Sequence, residues 1–64
     1  MPREIFDEDK FLEIAEFSVH CRVKRLKKVV KLKLRTKKIL FTYICDPATA
    51  ESLLKRISCD VIEL

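Results

Sequence analysis

Val30-Lys31-Leu32-Lys33-Leu34-Arg35-Thr36-Lys37 is the stretch that decides the fold, because its apolar or small side chains alternate with cations. Alternation with a period of two is typical of a half-buried β-strand, which turns one set of side chains to a core and the other to solvent. Lys31, Lys33 and Arg35 are therefore predicted to stand in a row on one face of a sheet. Such a row of fixed cations suits a polyanion, and phosphate backbones are the commonest polyanion that a small basic protein meets.

The charge of the chain is segregated around this strand. Ten of the 14 Lys and Arg residues lie between residues 22 and 38, and no acidic residue occurs from Phe17 to Cys45. Four basic and all 10 acidic side chains lie outside that segment, so the formal net charge of +4 understates how basic one surface is expected to be. The segment predicts these residues as contacts for a polyanion such as a nucleic acid: Arg22, Lys24, Arg25, Lys27, Lys28, Lys31, Lys33, Arg35, Lys37 and Lys38.

Length and composition limit the class of protein. A chain of 64 residues predicts one domain, residues 1–64, and a chain this short buries only roughly 60% of the surface that its unfolded form exposes. Hydrophobic residues make up 48% and charged residues 38%, which is too apolar for a disordered tail and too charged for a membrane span. The N-terminus has no apolar region of signal-peptide type, so we expect a cytosolic protein.

Motifs of enzymes and metal sites are absent from the sequence. The chain has no glycine and hence no Gly-rich phosphate-binding loop. Cys21, Cys45 and Cys59 are an odd count for a disulfide framework and lie too far apart for the paired ligands of a zinc site. On a strand His20 also faces away from Cys21. We therefore interpret the cysteines as core residues and expect no catalytic residue, no metal and no cofactor.

The first predicted helix precedes the basic segment. Asp7 is suited to cap it, because a carboxylate accepts hydrogen bonds from the free amides of a first helical turn. Phe6 before the cap and Phe11 within the helix match a hydrophobic staple. The helix is predicted to end near Phe17 or Ser18, and its buried stripe contains Phe11, Ile14, Ala15 and Ser18.

The second predicted helix follows the basic segment. Asp46 followed by Pro47 places a capping carboxylate before a proline at the first helical position, where the missing amide costs nothing. Apolar residues then recur at the spacing of one buried stripe, at Ala50, Leu53, Leu54 and Ile57.

Three strands between the helices, residues 19–26, 29–35 and 39–45, are predicted to form two hairpins. A turn at Lys27-Lys28 gives the pairs Val23–Leu32 and Cys21–Leu34. A turn at Thr36-Lys37 gives the pairs Leu34–Ile39, Leu32–Phe41 and Val30–Tyr43. Both registers put the apolar side chains on one face, although turns without Gly, Asn or Asp leave longer loops open. With short strands at 3–6 and 60–64, the sequence predicts an α+β two-layer sandwich, a mainly antiparallel sheet with two helices on one face, in the order β-α-β-β-β-α-β.

Roles of the basic surface that involve no nucleic acid fit the sequence less well. Lysines on an edge strand can block aggregation, but this does not account for ten cations without a compensating carboxylate. An anionic membrane surface would favour cations on an amphipathic helix, whereas here the cations lie on strands and the helices are acidic. Phe41 and Tyr43 could stack on unpaired bases, although the predicted register places them in the core.

Several short motifs resemble a known ribosomal family. They are Met1-Pro2-Arg3-Glu4-Ile5, Phe11-Leu12, Val30 to Arg35, Leu40-Phe41-Thr42 and Ala50-Glu51-x-Leu53. The chain resembles the large-subunit ribosomal protein family numbered thirty-eight, found in eukaryotes and some archaea, from residue 1 to its end. The family usually has Tyr at the position of Phe41, and the compact length is similar to that of archaeal members.

The resemblance implies a structural constituent of the large ribosomal subunit in the cytoplasm. Its implied partners are large-subunit rRNA and neighbouring ribosomal proteins, with no membrane, no small-molecule substrate and no enzymatic activity. Lys31, Lys33 and Arg35 match the family's basic positions, and so does Arg3, which rests on the resemblance alone. Contacts are expected mainly to phosphates and 2′-hydroxyls. A free-standing RNA-binding protein, a nucleoid-type binder and an adaptor that works through its acidic helices remain the alternatives.

Overall fold

The computed structural model describes residues 3–63, in which five strands and two helices follow one another in the order β-α-β-β-β-α-β. The predicted elements all form, and most are one or two residues shorter than the sequence suggested; Leu64, the last residue of the predicted final strand, lies outside the described residues. The elements are β1 (Arg3–Ile5), α1 (Glu8–Ala15), β2 (His20–Arg25), β3 (Val30–Arg35), β4 (Leu40–Cys45), α2 (Pro47–Arg56) and β5 (Asp60–Glu63).

The strands form one mixed sheet, so the prediction of a mainly antiparallel sheet is wrong. Their order across the sheet is β1-β4-β3-β2-β5, which differs from their order along the chain. The central strand β3 pairs antiparallel with both β2 and β4. The two edge strands pair parallel, β1 with β4 and β5 with β2.

The parallel edges follow from the two helical connections. A helix that packs on a sheet carries the chain back to the end where the preceding strand began, so the strand after it runs in the same direction as the strand before it. This applies to β1 and β2 across α1, and to β4 and β5 across α2. Only the two hairpins reverse the direction, which leaves β3 as the one strand of the described sheet that runs opposite to the other four.

The first hairpin has the predicted register, whereas the second is shifted. Val23 pairs with Leu32 across the turn at Lys27-Lys28, as expected. In the second hairpin Leu34 pairs with Phe41 and not with Ile39, a shift of two residues. Because a shift of two preserves which face each side chain occupies, the apolar residues still point to the core. The other observed partners are Leu32–Tyr43 and Val30–Cys45.

Thr36 explains the shift of the second hairpin. Its side chain is 6% exposed. Its hydroxyl donates to the carbonyl oxygen of Ile39 at 2.7 Å and accepts from the Ile39 amide at 2.9 Å. These bonds close the turn at Lys37-Lys38, and they do so without a residue at positive φ among those described. A side-chain hydroxyl thus replaces the glycine that a tight turn commonly needs.

Helix α1 begins at the predicted cap and ends early. Asp7 accepts a hydrogen bond from the amide of Lys10 at 2.7 Å. The predicted staple is wrong, because Phe6 is 83% exposed while Phe11 is fully buried. After Ala15 the backbone forms hydrogen bonds between residues three positions apart, as from the Phe17 amide to the Ile14 carbonyl oxygen. This tighter turn ends the α-helix before Phe17.

Helix α2 matches its prediction closely. Asp46 accepts hydrogen bonds from the amide and the hydroxyl of Thr49, and Pro47 occupies the first helical turn. The hydrogen bond from the Thr49 side chain is the main reason why the pKa of Asp46 is lowered. Neither helix of the described chain is long and apolar enough to cross a membrane.

The core lies between the sheet and the two helices. Both helices contribute buried side chains to it, so they cover one sheet face and leave the other open. Partly buried residues, including Phe41 and Tyr43, pack against its border, and the ring centroids of Phe11 and Tyr43 are 5.5 Å apart. The fully or almost fully buried apolar residues are Ile5, Phe11, Ile14, Ala15, Cys21, Val23, Val30, Leu32, Leu34, Ala50 and Leu53.

Candidate nucleic-acid interface

Five of the predicted RNA-binding residues lie together on the open face of the sheet. Strand alternation puts them opposite the buried positions of β2 and β3, and the register places Arg22 beside Lys33 and Lys24 beside Lys31. On β4, Thr42 lies beside Lys33 and Ile44 lies beside Lys31, so each cross-strand row continues toward the β1 edge of the sheet. We call this group of side chains the cationic face: Arg22, Lys24, Lys31, Lys33 and Arg35.

The cationic face is electrostatically unfavourable in the free protein. Its two directly opposed pairs bring like charges together where Cβ atoms are roughly 5 Å apart, an arrangement that destabilises a sheet. No member of the face takes part in an ion pair within residues 3–63. Among the described residues, carboxylates lie at the margins of the face, where Glu4 is beside Thr42 and Asp60 is beside His20. The face is therefore suited to bind anions.

The predicted cations in the two hairpin turns extend this charge along the sheet. Lys27 and Lys28 form the tip of the β2–β3 turn, and Lys37 and Lys38 form the tip of the β3–β4 turn. All four are exposed. Because β3 connects the two turns, they stand at opposite ends of the cationic face, separated by a strand of about 17–20 Å.

Arg25 differs from the other nine cations of the basic segment. Its guanidinium donates to Glu51 of α2 at 2.8 Å and to Glu63 of β5 at 2.9 Å. It shares the sheet face of Val23, which is the helix side. The hydrogen bonds to Glu63 and Glu51 raise the pKa of Arg25. The structure thus places this predicted site residue away from the cationic face and gives it two carboxylate partners.

Arg3 is also separated from the cationic face. It is exposed at the edge strand β1, where it pairs with Phe41. Ile5, two residues on, is buried on the helix side, so alternation gives Arg3 the same side. The outward position of β1 is occupied by Glu4. The structure therefore brings together the residues that alternation predicted and does not bring Arg3 to them.

The histidine and the cysteines form no reactive cluster. Within residues 3–63 no group of three His, Cys, Asp or Glu side chains is placed to hold a metal ion. Burial, and to a lesser degree Cys59 and Glu63, raises the pKa of Cys21 to about 12, and burial also raises the pKa values of Cys45 and Cys59. Such thiols stay protonated near neutral pH, which makes them poor nucleophiles and poor metal ligands. The buried Nε2 of His20 has no hydrogen-bond partner in the described chain.

A groove that the sequence did not predict lies at the end of the sheet where α1 ends. It has a volume of about 470 Å³, and we call it the turn groove. Phe17, which is 61% exposed, forms one wall. Phe17 lies in the turn after α1, whereas the sequence pattern extended the helix to Phe17 or Ser18 and gave no signal for the groove. The lining residues are Phe17, Thr36, Lys37, Lys38, Ile39 and Phe41.

Comparison with known proteins identifies what the chain is similar to. Residues 1–61 match the model of the Ribosomal L38e protein family. The protein named Large ribosomal subunit protein eL38 from Aeropyrum pernix is 42% identical to this chain over 57 residues. That alignment covers 89% of this chain and 85% of the relative. The match therefore spans both helices and the cationic face.

Proposed function

The chain belongs to the Ribosomal L38e protein family, and from this premise we propose that it holds large-subunit rRNA through the phosphate backbone. It is a large-subunit ribosomal protein, located in the ribosome in the cytoplasm. In the proposal it acts as one domain, residues 1–64, with a structural role, no enzymatic activity, and rRNA and adjacent ribosomal proteins as its partners. The cationic face and the two lysine turns carry the contacts.

The observation that carries the proposal is that the cationic face has no carboxylate partner within the described part of the chain, residues 3–63. Opposed like charges raise the free energy of the folded monomer, whereas Arg25 shows that this chain has carboxylates able to pair with a guanidinium. Phosphates placed over the face would remove the repulsion and release counterions. Because the face offers lysine and arginine cations spread over two neighbouring strands, the contacts would be mainly to phosphates and would follow RNA shape and not base sequence.

Arg25 and Arg3 are not among the phosphate contacts proposed for the cationic face, because both lie on the helix side of the sheet. Arg25 supports the sheet by joining β2 to α2 and β5, so its guanidinium is not counted among the phosphate contacts. Arg3 stands on the other side of the sheet and would meet a different segment of RNA or a neighbouring protein. The primary contact set is therefore the cationic face with Lys27, Lys28, Lys37 and Lys38.

The proposal is tested by binding of the purified chain to large-subunit rRNA over a series of salt concentrations. Neutralising roughly four to six phosphates gives a slope of about −3 to −5 in a plot of log affinity against log salt. Lys31→Glu combined with Lys33→Glu removes two of these contacts, which flattens the slope by about 1.5 and weakens binding roughly 25- to 60-fold at 0.1 M salt.

The matched control is Lys10→Glu combined with Lys55→Glu, which changes the net charge equally at two exposed helix positions outside the cationic face. Its slope should remain close to that of the unmodified chain. Equal losses in both double variants would show that net charge, and not the cationic face, governs binding. If the chain instead stays bound to ribosomal proteins after nuclease has digested the RNA, the association would be assigned to protein contacts through the acidic helices.

A further inference from the structure

We propose that the turn groove binds a single unpaired nucleobase of RNA, with Lys37 and Lys38 holding the phosphates next to it. This inference rests on the proposed rRNA-binding function and adds a second kind of contact to it. The cationic face is suited to the backbone of RNA, whereas the turn groove is suited to a base that has left its helix.

The walls of the turn groove offer stacking surfaces. Phe17 contributes an exposed ring, and the half-buried Phe41 and Ile39 contribute apolar surface from β4 and the turn before it. The volume of about 470 Å³ lies within the range of pockets that hold small organic groups. Every nucleobase has a π-face, so aromatic walls bind unpaired bases with little dependence on their identity.

Charge complementarity selects a nucleotide as the occupant. Lys37 and Lys38 are exposed, have no ion-pair partner within residues 3–63, and share the groove with no acidic residue. An apolar groove alone would also suit the side chain of a neighbouring protein. Two adjacent unpaired cations favour a ligand whose flat apolar part is joined directly to anionic groups, and a nucleotide within an RNA strand has this composition.

A second groove on the same protein also has an exposed aromatic ring, but its charge is unfavourable for a phosphate. It is lined by Phe6, which is 83% exposed, together with apolar residues of β1 and β4. Among the residues that the structure describes, its lining contains the carboxylate Glu4 and no cation. A phosphate would be repelled there, so we assign the nucleobase to the turn groove and use Phe6 as the control position.

The turn groove lies at one end of the cationic face, but on the helix side of the sheet, and it is held in place. Phe41 is on the helix side because it pairs with Leu34, whereas Lys37 and Lys38 form the turn at the edge between the two sides. An RNA strand that leaves the cationic face at Arg35 would therefore reach the groove by passing this turn. The segment that carries Phe17 is fixed by hydrogen bonds on both sides, from the Phe17 amide to the Ile14 carbonyl and from the Val19 amide to the Arg35 carbonyl. Such preorganisation reduces the entropy that binding must otherwise remove.

The test uses two RNA stems of the same sequence, one fully paired and one with a single extrahelical 2-aminopurine. The chain should bind the bulged stem roughly 5- to 100-fold more tightly, the effect expected for stacking of one base. The fluorescence of 2-aminopurine should fall on binding, because stacking quenches it.

Phe17→Ser should remove both the preference and the fluorescence change while leaving affinity for the paired stem unaltered. Phe6→Ser is the matched control, since it removes an even more exposed ring next to α1 but outside the turn groove, and it should behave as the unmodified chain. Both positions are exposed, so thermal unfolding should remain close to normal in each variant. Lys31→Glu with Lys33→Glu should weaken binding of both stems to a similar extent.

The outcomes separate this inference from the proposed function. Failure of the unmodified chain to bind either stem would contradict rRNA backbone binding itself. Tight and equal binding of both stems, without a fluorescence change, would retain backbone binding and overturn the nucleobase site, leaving the turn groove to a protein side chain. A preference that persists in Phe17→Ser would also overturn it.

Discussion

Raising the salt concentration from about 0.01 M to 1 M should stabilise the free protein. The two directly opposed pairs of the cationic face, Arg22–Lys33 and Lys24–Lys31, exist only in the folded sheet. Neighbours along one strand, such as Lys31 and Lys33, also stay close in the unfolded chain. Their repulsion is therefore similar in both states and largely cancels from the free energy of unfolding. The repulsion that folding creates is therefore mainly the repulsion across β2 and β3, and salt screens it.

The cross-strand geometry sets an upper limit on the effect. Charged groups as close as the Cβ atoms, at roughly 5 Å, repel by about 0.8 kcal/mol per pair in water without salt. With Debye lengths of about 30 Å at 0.01 M and 3 Å at 1 M, the screened repulsion of each pair is at most about 0.7 and about 0.2 kcal/mol, respectively. Two pairs therefore contribute at most about 1 kcal/mol, which corresponds to a rise in the Tm of a domain this small of at most about 4–8 °C.

The assay is thermal unfolding of the RNA-free protein, followed by circular dichroism in a series of sodium chloride concentrations. Lys33→Glu places an opposite charge next to Arg22, so it should raise the Tm at low salt and lose at least half of the salt-dependent increase. Lys55→Glu makes the same change in net charge on α2, outside the cationic face, and should keep the increase.

A Tm that falls steadily with added salt would refute this reasoning. It would mean that attractions, such as those of Arg25 with Glu51 and Glu63 and those between the acidic helix α1 and the sheet, outweigh the repulsion across β2 and β3. The cations would then be structural. If Lys55→Glu removed the increase as fully as Lys33→Glu, total charge and not strand register would be its origin.

Three further predictions concern the interior. Leu53→Ala should cost on the order of 2–5 kcal/mol in a denaturant titration, because Leu53 is 1% exposed, and Leu54→Ala should cost less because Leu54 is half-buried. Thr36→Val should cost about 1–3 kcal/mol by the same method, since it leaves the amide of Ile39 without its acceptor. The raised pKa of Cys21, about 12, means that its contribution to stability is complete below the unfolded-state value near 9 and is lost as the pH rises toward 12. The free energy of unfolding should therefore decline over that interval, and less steeply in Cys21→Ala.

Local signals predicted the parts of the fold that local interactions determine. Asp46 and Pro47 identify the start of α2 because capping involves only the next few residues. The alternation of β3 identifies its buried face for the same reason. The second hairpin shows the limit of such patterns: shifts of two residues keep every apolar side chain on the core face, so the hydroxyl of Thr36, and not the apolar pattern, decides the register.

Long-range placement was less accessible from the sequence. The two helical connections determine the direction of β1 and β5, but the order of elements along the chain does not show that β1 lies beside β4 and β5 beside β2, which makes both pairings parallel. The same limit applies to the candidate site. Alternation identified the five residues of the cationic face. The partners of Arg25, in contrast, come from α2 and β5, and the turn groove combines Phe17, which follows α1, with residues of the β3–β4 turn and β4.

In the proposed function, the arrangement of charge links the stability of the protein to the RNA that it binds. Folding places the carboxylate partners of Arg25 on the helix side, which leaves the repulsion of the cationic face uncompensated until an anion covers it. A ligand that binds only the folded state stabilises it by about 2.7 kcal/mol at a concentration of 100 Kd. Salt weakens that binding while it relieves the repulsion in the free protein. The stability of the complex should therefore fall with salt over the range in which the stability of the free protein rises, and a fold stabilised by its own surface ion pairs would not give these opposite trends.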